Sequence, residues 1–202
     1  MALPCPYDVG RSILHWESKC KNRGAGDRSI SIMKLLSDWG FTKAGWRTGA
    51  RGEYWVVVQA ILIVGFVLLP VYQPPGFRVP YALLYVTLPI VLILIGSSVL
   101  LFVRGLSELG DSLTPLPHPR DDAALVQTGV YAIVRHPVYS GLILATLAWA
   151  ILQLSVTHLI GSIAYLVFFS AKANREETWL MEKYPEYASY RQQVKKLIPW
   201  IY

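Results

Sequence analysis

Residues 129–141 hold the side chains best suited to chemistry in this sequence. Arg135 and His136 are adjacent there, at the edge of an apolar run, where ionisable groups are costly unless they find partners. At helical spacing Tyr131, Arg135 and Tyr139 fall on one face, so they can line one wall of a pocket. Taken alone, this basic pair is better explained as an interfacial feature that binds lipid headgroups.

A second polar cluster, Arg175, Glu176 and Glu177, follows the last apolar run. Lys172 precedes Glu176 by one helical turn. A carboxylate at this position can accept charge-assisted hydrogen bonds from the ammonium group or the ribose hydroxyls of a ligand. The alternative is a solvated helix face, on which the two glutamates pair with Lys172 and Lys183.

Long apolar runs must position these two clusters. The chain of 202 residues is 53% hydrophobic and 16% charged, whereas a soluble domain carries roughly 25% charged residues. Runs of about 20 apolar residues match a hydrocarbon core roughly 30 Å thick. We therefore predict an all-α integral membrane protein with about four transmembrane helices and a C-terminal amphipathic helix. The predicted spans are residues 54–72, 80–103, 138–154 and 157–172.

The rest of the chain is organised around these spans. Residues 1–53 are predicted to form a polar, basic and partly disordered leader, and residues 54–202 a membrane domain. Prolines prevent a continuous helix between residues 105 and 122, which we predict to be a loop. The tail alternates charged and apolar residues, a pattern suited to a membrane surface. The tail residues expected to anchor it there are Tyr184, Tyr187 and Tyr190.

The basic residues predict the orientation of the chain. Lys and Arg are concentrated before the first span and after the last, so we expect both termini in the cytoplasm. Flanks of this kind explain the net charge of +6 better than nucleic-acid binding does.

Cys5 and Cys20 lack the spacing of a metal site, and no metal partner is expected. The membrane is predicted to be the endoplasmic reticulum in a eukaryote and the inner or plasma membrane in a bacterium.

Taken in order, the motifs resemble a known family. They read Gly-x-Tyr-x-x-x-Arg-His-Pro-x-Tyr-x-Gly, an apolar hairpin, Glu-Glu-x-x-Leu, Tyr-x-x-Tyr and a closing Ile-Pro. Residues 85–199 thereby resemble the isoprenylcysteine carboxyl methyltransferases and their phospholipid methyltransferase relatives. The resemblance implies a membrane methyltransferase that uses S-adenosyl-L-methionine. It would methylate a carboxylate or another polar head of a lipidic or isoprenoid acceptor at the cytosolic membrane face. Membrane lipids would be further partners of the protein.

The resemblance also assigns residues. In the family a basic residue one turn before the first glutamate is associated with the substrate carboxylate, and here that residue is Lys172 in place of the usual arginine. Arg175 could substitute for it, and His136 could accept a proton if it is not fully used in holding the cofactor. The implied cofactor contacts are Leu116, Ala123, Ala124, Leu125, Val126, Tyr131, His136, Pro137, Val138, Tyr139 and Glu176.

Two other functions compete with this interpretation. Membrane sterol and enone reductases carry a similar Arg-His-Pro-x-Tyr segment, but they use a nicotinamide cofactor such as NADPH and usually have more spans. The Glu-Glu-x-x-Leu motif and the short chain argue against a reductase. A non-enzymatic membrane scaffold would leave the clustering of Tyr131, Arg135, His136, Tyr139 and Glu176 unexplained.

Overall fold

The computed structural model describes residues 43–49, 51–76, 81–119, 123–199 and 201–202. Within these ranges the chain forms helices and turns and no β-strand, which confirms the prediction of an all-α protein. Two short 3-10 helices, Gly110–Ser112 and Gly129–Ala132, lie between the third and fourth α-helices. The α-helices are α1 (Lys43–Thr48), α2 (Glu53–Leu68), α3 (Tyr81–Leu109), α4 (Pro137–Leu152), α5 (Val156–Lys183) and α6 (Tyr187–Gln193).

Most of the predicted leader lies outside the described residues, and so do Cys5 and Cys20. The structure begins at α1, and α2 follows it after a turn at Gly52. Gly52 has a left-handed φ of 83°, and a Cβ there would lie 2.5 Å from Cγ of Pro117. Glycine at this position therefore lets the start of α2 contact the segment that follows α3.

Two of the helices are long and apolar enough to cross a membrane, namely residues Leu83–Leu109 of α3 and the whole of α5. The helices α2 and α4 have 16 residues each. They are therefore about 24 Å long, which falls short of a hydrocarbon core of roughly 30 Å. The count of four spans stays a prediction.

All four helices that correspond to predicted spans end at positions other than those predicted, and for the third span, where α4 ends at Leu152, the difference is two residues. The first span was predicted to run to Tyr72, but α2 ends at Leu68, because Pro70 disfavours a helical conformation at the residue before it. The second was predicted to end at Val103, before Arg104, but α3 continues to Leu109. No proline interrupts that stretch, so the predicted loop begins several residues later.

The helix α5 is 28 residues long and continues unbroken past Lys172, where the fourth span was predicted to end. Ser155 caps its first turn by accepting a hydrogen bond from the backbone N of His158 at 3.4 Å. Good helix formers fill the stretch up to Pro185, which ends the helix. The second polar cluster therefore lies on the same helix as the apolar segment, and the predicted amphipathic helix is divided between the end of α5 and α6.

The start of α4 is fixed by close contact with α3. Ser98 Oγ donates a hydrogen bond to the carbonyl of Gly141 at 2.7 Å. A Cβ on Gly141 would lie only 2.9 Å from the carbonyl oxygen of Ser98, so the two backbones approach as closely as a glycine allows. Pro137 occupies the first turn of α4, where its missing N–H costs nothing. This contact holds residues 135–139 in place beside α3.

Candidate functional site

One cavity lies between the segment after α3, the start of α4 and the polar end of α5. It encloses about 840 Å³ when the space at its open mouth is included. Its lining includes every residue predicted to contact the cofactor, namely Leu116, Ala123, Ala124, Leu125, Val126, Tyr131, His136, Pro137, Val138, Tyr139 and Glu176.

Glu177 is the centre of a buried ion network next to this cavity, and its side chain is 2% exposed. Arg135 donates to its Oε1 from Nε at 2.9 Å and from Nη2 at 2.8 Å. His136 Nε2 lies 3.2 Å from the same oxygen, and Arg191 Nε lies 3.4 Å from Oε2. The alternative of a solvated face is therefore wrong for Glu177, which serves as the buried counter-ion of two arginines.

Glu176 faces the cavity on the other side of His136. Its Oε2 accepts a hydrogen bond from the Tyr139 hydroxyl at 2.8 Å and lies 3.7 Å from His136 Nδ1. The rings of His136 and Tyr139 stack with their centroids 5.3 Å apart. Both imidazole nitrogens thus face carboxylates, while the Glu176 side chain remains 25% exposed and can receive a ligand.

The segment after α6 fixes the backbone of the basic pair. Backbone N–H groups of Arg135 and His136 donate to the carbonyls of Lys195 and Lys196 at 2.9 and 3.1 Å. Arg135 Nη1 also donates to the carbonyls of Arg191 and Val194. These bonds form next to an isolated parallel bridge in which residue 134 pairs with residue 195. The C-terminal segment is therefore part of the site.

Of the three tail tyrosines predicted to be membrane anchors, Tyr187 and Tyr190 are buried in the protein and Tyr184 is half-buried. Tyr187 and Tyr190 are 1% and 5% exposed. The Tyr190 hydroxyl donates to the Tyr131 carbonyl at 2.6 Å, and the Tyr184 hydroxyl donates to the Ala123 carbonyl. The prediction was wrong because the tail folds back onto the site, where each of these two hydroxyls finds a backbone acceptor.

Burial keeps two phenols of the cavity protonated. Desolvation raises the pKa of Tyr131 above its ordinary value, and the negative charge of Glu176 raises it further. Desolvation likewise raises the pKa of Tyr190. Tyr131 donates its hydroxyl proton to the carbonyl of Gly105 at 3.1 Å. Neither phenol can therefore act as a base near neutral pH.

The two basic residues predicted to meet the substrate do not line the cavity. Lys172 is 1% exposed, and its ammonium group donates to Gln59 Oε1 at 2.6 Å and to the Pro115 carbonyl at 3.1 Å. It also lies 5.2 Å from the centroid of the Tyr139 ring. Arg175 is exposed and packs over the Trp179 ring at 4.3 Å. Of these two residues, only Lys172 therefore has its charged group next to a side chain that lines the cavity, that of Tyr139.

Several cavity residues were not identified from the sequence. The segment after α3 contributes more than Leu116, and the tail contributes one wall. Helical spacing was the available signal for one of them, because Leu180 follows Glu176 by one turn. The additional lining residues are Leu109, Ser112, Leu113, Thr114, Pro119, Leu180, Tyr184, Tyr187 and Tyr190. Arg135, which helical spacing predicted on one wall of a pocket, lines the cavity as well.

The cavity suits a ligand that is partly apolar and partly cationic. Leucine, valine and alanine side chains form much of its wall, and Glu176 supplies a partly exposed carboxylate at the polar end. A carboxylate of this kind accepts charge-assisted hydrogen bonds from an ammonium group or from hydroxyls. In the part of the chain that the structure describes, no three His, Cys, Asp or Glu side chains are placed to hold a metal ion.

Comparison with known proteins gives three similarities. Residues 86–187 match the phospholipid methyltransferase family. Two rice proteins, from Oryza sativa subsp. indica and subsp. japonica, are described as probable protein-S-isoprenylcysteine O-methyltransferases. Each is 32% identical to this chain over 90 residues, which cover 42% of this chain and 45% of the rice protein. The chain thus matches less than half the length of these relatives.

A solved structure has a similar fold. It is the eukaryotic intramembrane Ras methyltransferase, isoprenylcysteine carboxyl methyltransferase, and it superposes with a TM-score of 0.53 at 22% sequence identity. The similarity covers 80% of this chain and 55% of that protein. At this level of identity the similarity concerns the fold.

Proposed function

This chain belongs to the phospholipid methyltransferase family, and from this premise we propose that it is a membrane methyltransferase that uses S-adenosyl-L-methionine. Membership agrees with the resemblance found in its motifs. The observation that carries the proposal is the convergence of Tyr131, His136, Tyr139 and Glu176 on one cavity. The rice relatives are described as acting on isoprenylcysteine, and we propose an acceptor that is lipidic or isoprenoid.

The lining of the cavity fits the proposed cofactor in its chemistry. Glu176 would hold the cofactor's ammonium group or ribose hydroxyls, because its carboxylate is partly exposed at the cavity end. The Tyr139 hydroxyl, which donates a hydrogen bond to this carboxylate, and the nearby His136 ring hold the carboxylate in its orientation. The residues 123–126 would contact the cofactor through their backbone. The apolar wall would cover its less polar parts and exclude water.

When bound, S-adenosylmethionine supplies an electrophilic methyl group for transfer to an oxygen or nitrogen of the acceptor. The protein's share is to position both molecules and to keep water out. A carboxylate acceptor needs no general base near neutral pH. Because both nitrogens of His136 face Glu176 and Glu177, this imidazole is better suited to holding the two glutamates than to taking a proton.

Lys172 is the better candidate for contact with an anionic acceptor head. Its ammonium group lies against the ring of Tyr139, which lines the cavity. Arg175 points its charge at Trp179 on the exposed side of α5. The acceptor would carry a carboxylate or another polar head, and its hydrocarbon part would remain in the bilayer.

A multi-pass topology with cytoplasmic termini completes the proposal. Two helices are long and apolar enough to span, and we propose that α2 and α4 cross as well, with their flanking turns. The site would then face the cytosol, at the end of α5 that carries Glu176. The membrane would be the endoplasmic reticulum in a eukaryote and the inner or plasma membrane in a bacterium.

Binding of S-adenosylmethionine to detergent-purified protein tests this function. We expect saturable binding to the wild type in calorimetry, and roughly 10- to 100-fold weaker binding to Glu176→Gln, since a hydrogen bond to a charged group contributes about 1.5–3 kcal/mol. Glu182→Gln is the matched control, because Glu182 lies on the exposed side of the same helix. Its affinity should equal that of the wild type. Tight NADPH binding with no S-adenosylmethionine binding would favour the reductase instead.

A further inference from the structure

Gln59 is a polar side chain in the middle of the apolar helix α2. It lies outside the residues that match the family, which begin at residue 86. A polar group at this depth is costly and therefore marks a candidate functional position. Its amide oxygen accepts a hydrogen bond of 2.6 Å from the Lys172 ammonium group on α5. The two polar side chains thus meet across two otherwise apolar helices.

We propose that Gln59 completes an acceptor-binding subsite with Lys172 and determines its preference for a carboxylate. This inference rests on the proposed methyltransferase function. Lysine is a point charge, whereas arginine grips a carboxylate with a planar fork of two donors. Two of the three ammonium N–H bonds of Lys172 are used within the protein, so the amide N–H group of Gln59 supplies the second donor of such a pair.

The hydrogen-bond pattern leaves these donors available. An ammonium group has three N–H bonds and no acceptor. In the described residues Lys172 donates to two oxygens, those of Gln59 and Pro115. Since Lys172 can only donate, the amide oxygen of Gln59 must face it, and Nε2 lies beside that oxygen. No acceptor among the described residues takes a hydrogen bond from Nε2, so one ammonium proton and the amide protons remain for a ligand.

The position of the pair fits an acceptor approaching from the bilayer. Lys172 is buried, whereas Gln59 on α2 is half-buried. A ligand head could therefore reach the pair past the exposed part of the Gln59 side chain. The Lys172 ammonium group also lies 5.2 Å from the centre of the Tyr139 ring, and the Tyr139 hydroxyl holds Glu176. An anionic head bound by this pair would therefore lie next to the cofactor cavity.

Binding of two matched probes tests the subsite. The probes are N-acetyl-S-farnesylcysteine, which has a free carboxylate, and its carboxamide, which lacks the charge. We expect the wild type to bind the acid more tightly than the amide. Gln59→Leu should weaken binding of the acid about tenfold and binding of the amide much less, because a hydrogen bond to a charged group contributes more than one to a neutral carbonyl, so most of the preference is lost. Gln59→Glu, which neutralises Lys172 with a side chain of nearly equal size, should remove the preference as well.

Gln73→Leu is the matched control. Gln73 also donates a hydrogen bond between distant parts of the chain, to the Gln153 carbonyl at 3.0 Å, but it lies beyond the C-terminal end of α2. The Gln73→Leu variant should bind both probes and S-adenosylhomocysteine with the affinities of the wild type. In the Gln59 variants S-adenosylhomocysteine should also bind normally, because these variants alter the acceptor subsite alone.

Three results would overturn the proposal. One is a wild type that binds S-adenosylhomocysteine but does not prefer the acid. Another is a Gln59→Leu variant with the wild-type preference for the acid. The third is a Gln59→Leu variant that loses both probes and S-adenosylhomocysteine together, which would make Gln59 a structural link. A wild type that binds no S-adenosylhomocysteine would instead count against the proposed function itself.

Discussion

Glu176 and Glu177 are neighbours in sequence, yet they serve different purposes because a helix turns by about 100° per residue. Glu177 points into the protein and balances Arg135 and Arg191. Glu176 points into the cavity and keeps a quarter of its side chain exposed. The motif predicted Glu176 to be a ligand contact, and this stays a prediction. The partners of Glu177 could not be predicted, because one of them comes from α6 and depends on how the tail folds back.

Replacing Glu177 with glutamine should destabilise the protein more than it weakens ligand binding. The change leaves the buried Arg135 without its counter-ion, and breaking a buried pair in this way costs about 3–5 kcal/mol. We expect a lower melting temperature for Glu177→Gln in thermal unfolding in detergent. Glu176→Gln should melt like the wild type, because its carboxylate is partly exposed. Equal melting temperatures for the two variants would contradict the assignment of Glu177 as the buried counter-ion.

Tyr139 should contribute to ligand affinity through the orientation of Glu176. Its hydroxyl donates to Glu176 at 2.8 Å, and Tyr139→Phe removes this bond while keeping the ring stacked between His136 and Phe169. We expect about a 10-fold weaker affinity for S-adenosylmethionine in calorimetry, with an unchanged melting temperature. Tyr54→Phe is the control, since Tyr54 is exposed and its weak hydroxyl contacts lie at 3.5 Å. An unchanged affinity in Tyr139→Phe would argue against this role.

The segment between α3 and α4 determines where the basic pair begins. Gly129 has a φ of +60°, and a Cβ there would clash with the Glu108 carboxylate. That carboxylate accepts a hydrogen bond from the backbone N of Val130 at 2.8 Å. The sequence placed a glycine at the start of the motif, but neither the left-handed turn nor its contact with α3 could be predicted, since both depend on packing across the loop.

Two glycines of this segment form a matched pair of tests. Gly129→Ala requires a left-handed alanine, which costs about 1–2 kcal/mol, and it also displaces Glu108 from its hydrogen bond. Gly110→Ala requires a left-handed alanine as well (φ +49°), but no atom lies within 4 Å of its Cβ. We expect Gly129→Ala to lower the free energy of unfolding by more than Gly110→Ala does. An equal loss would mean that the Glu108 contact contributes nothing.

At the scale of the whole molecule, the site is assembled from segments far apart in sequence. Hydrogen bonds join residues 135, 136 and 140 to the carbonyls of residues 195–197. The order of helices and the residues of the motif could be predicted from apolar runs and spacing. The return of the tail could not, because its tyrosines carry the same pattern as a helix at a membrane surface.

Removing residues 194–202 should abolish the cofactor site. Arg135 and His136 would lose their backbone acceptors, and several buried polar groups would be left unpaired at about 1–3 kcal/mol each. We expect loss of S-adenosylhomocysteine binding and a lower melting temperature in the truncated chain. Ser140→Ala removes one hydrogen bond to the tail, the one that the Ser140 hydroxyl donates to the Leu197 carbonyl. It should lower the melting temperature by less than the truncation does. Asn174→Ala removes an exposed bond to Lys196 and should behave like the wild type. A truncated chain with normal binding would contradict the role of the tail.

The backbone hydrogen bonds from Arg135 and His136 to residues 195 and 196 also have a consequence for biosynthesis. During translation, segments fold as they emerge, beginning with the N-terminal ones. The residues of α2 to α4 leave the ribosome first, and the buried Arg135 has neither Glu177 nor its carbonyl acceptors at that point. A nascent chain therefore passes through a stage in which this arginine is unpaired. The cavity can close only after residue 197 has left the ribosome.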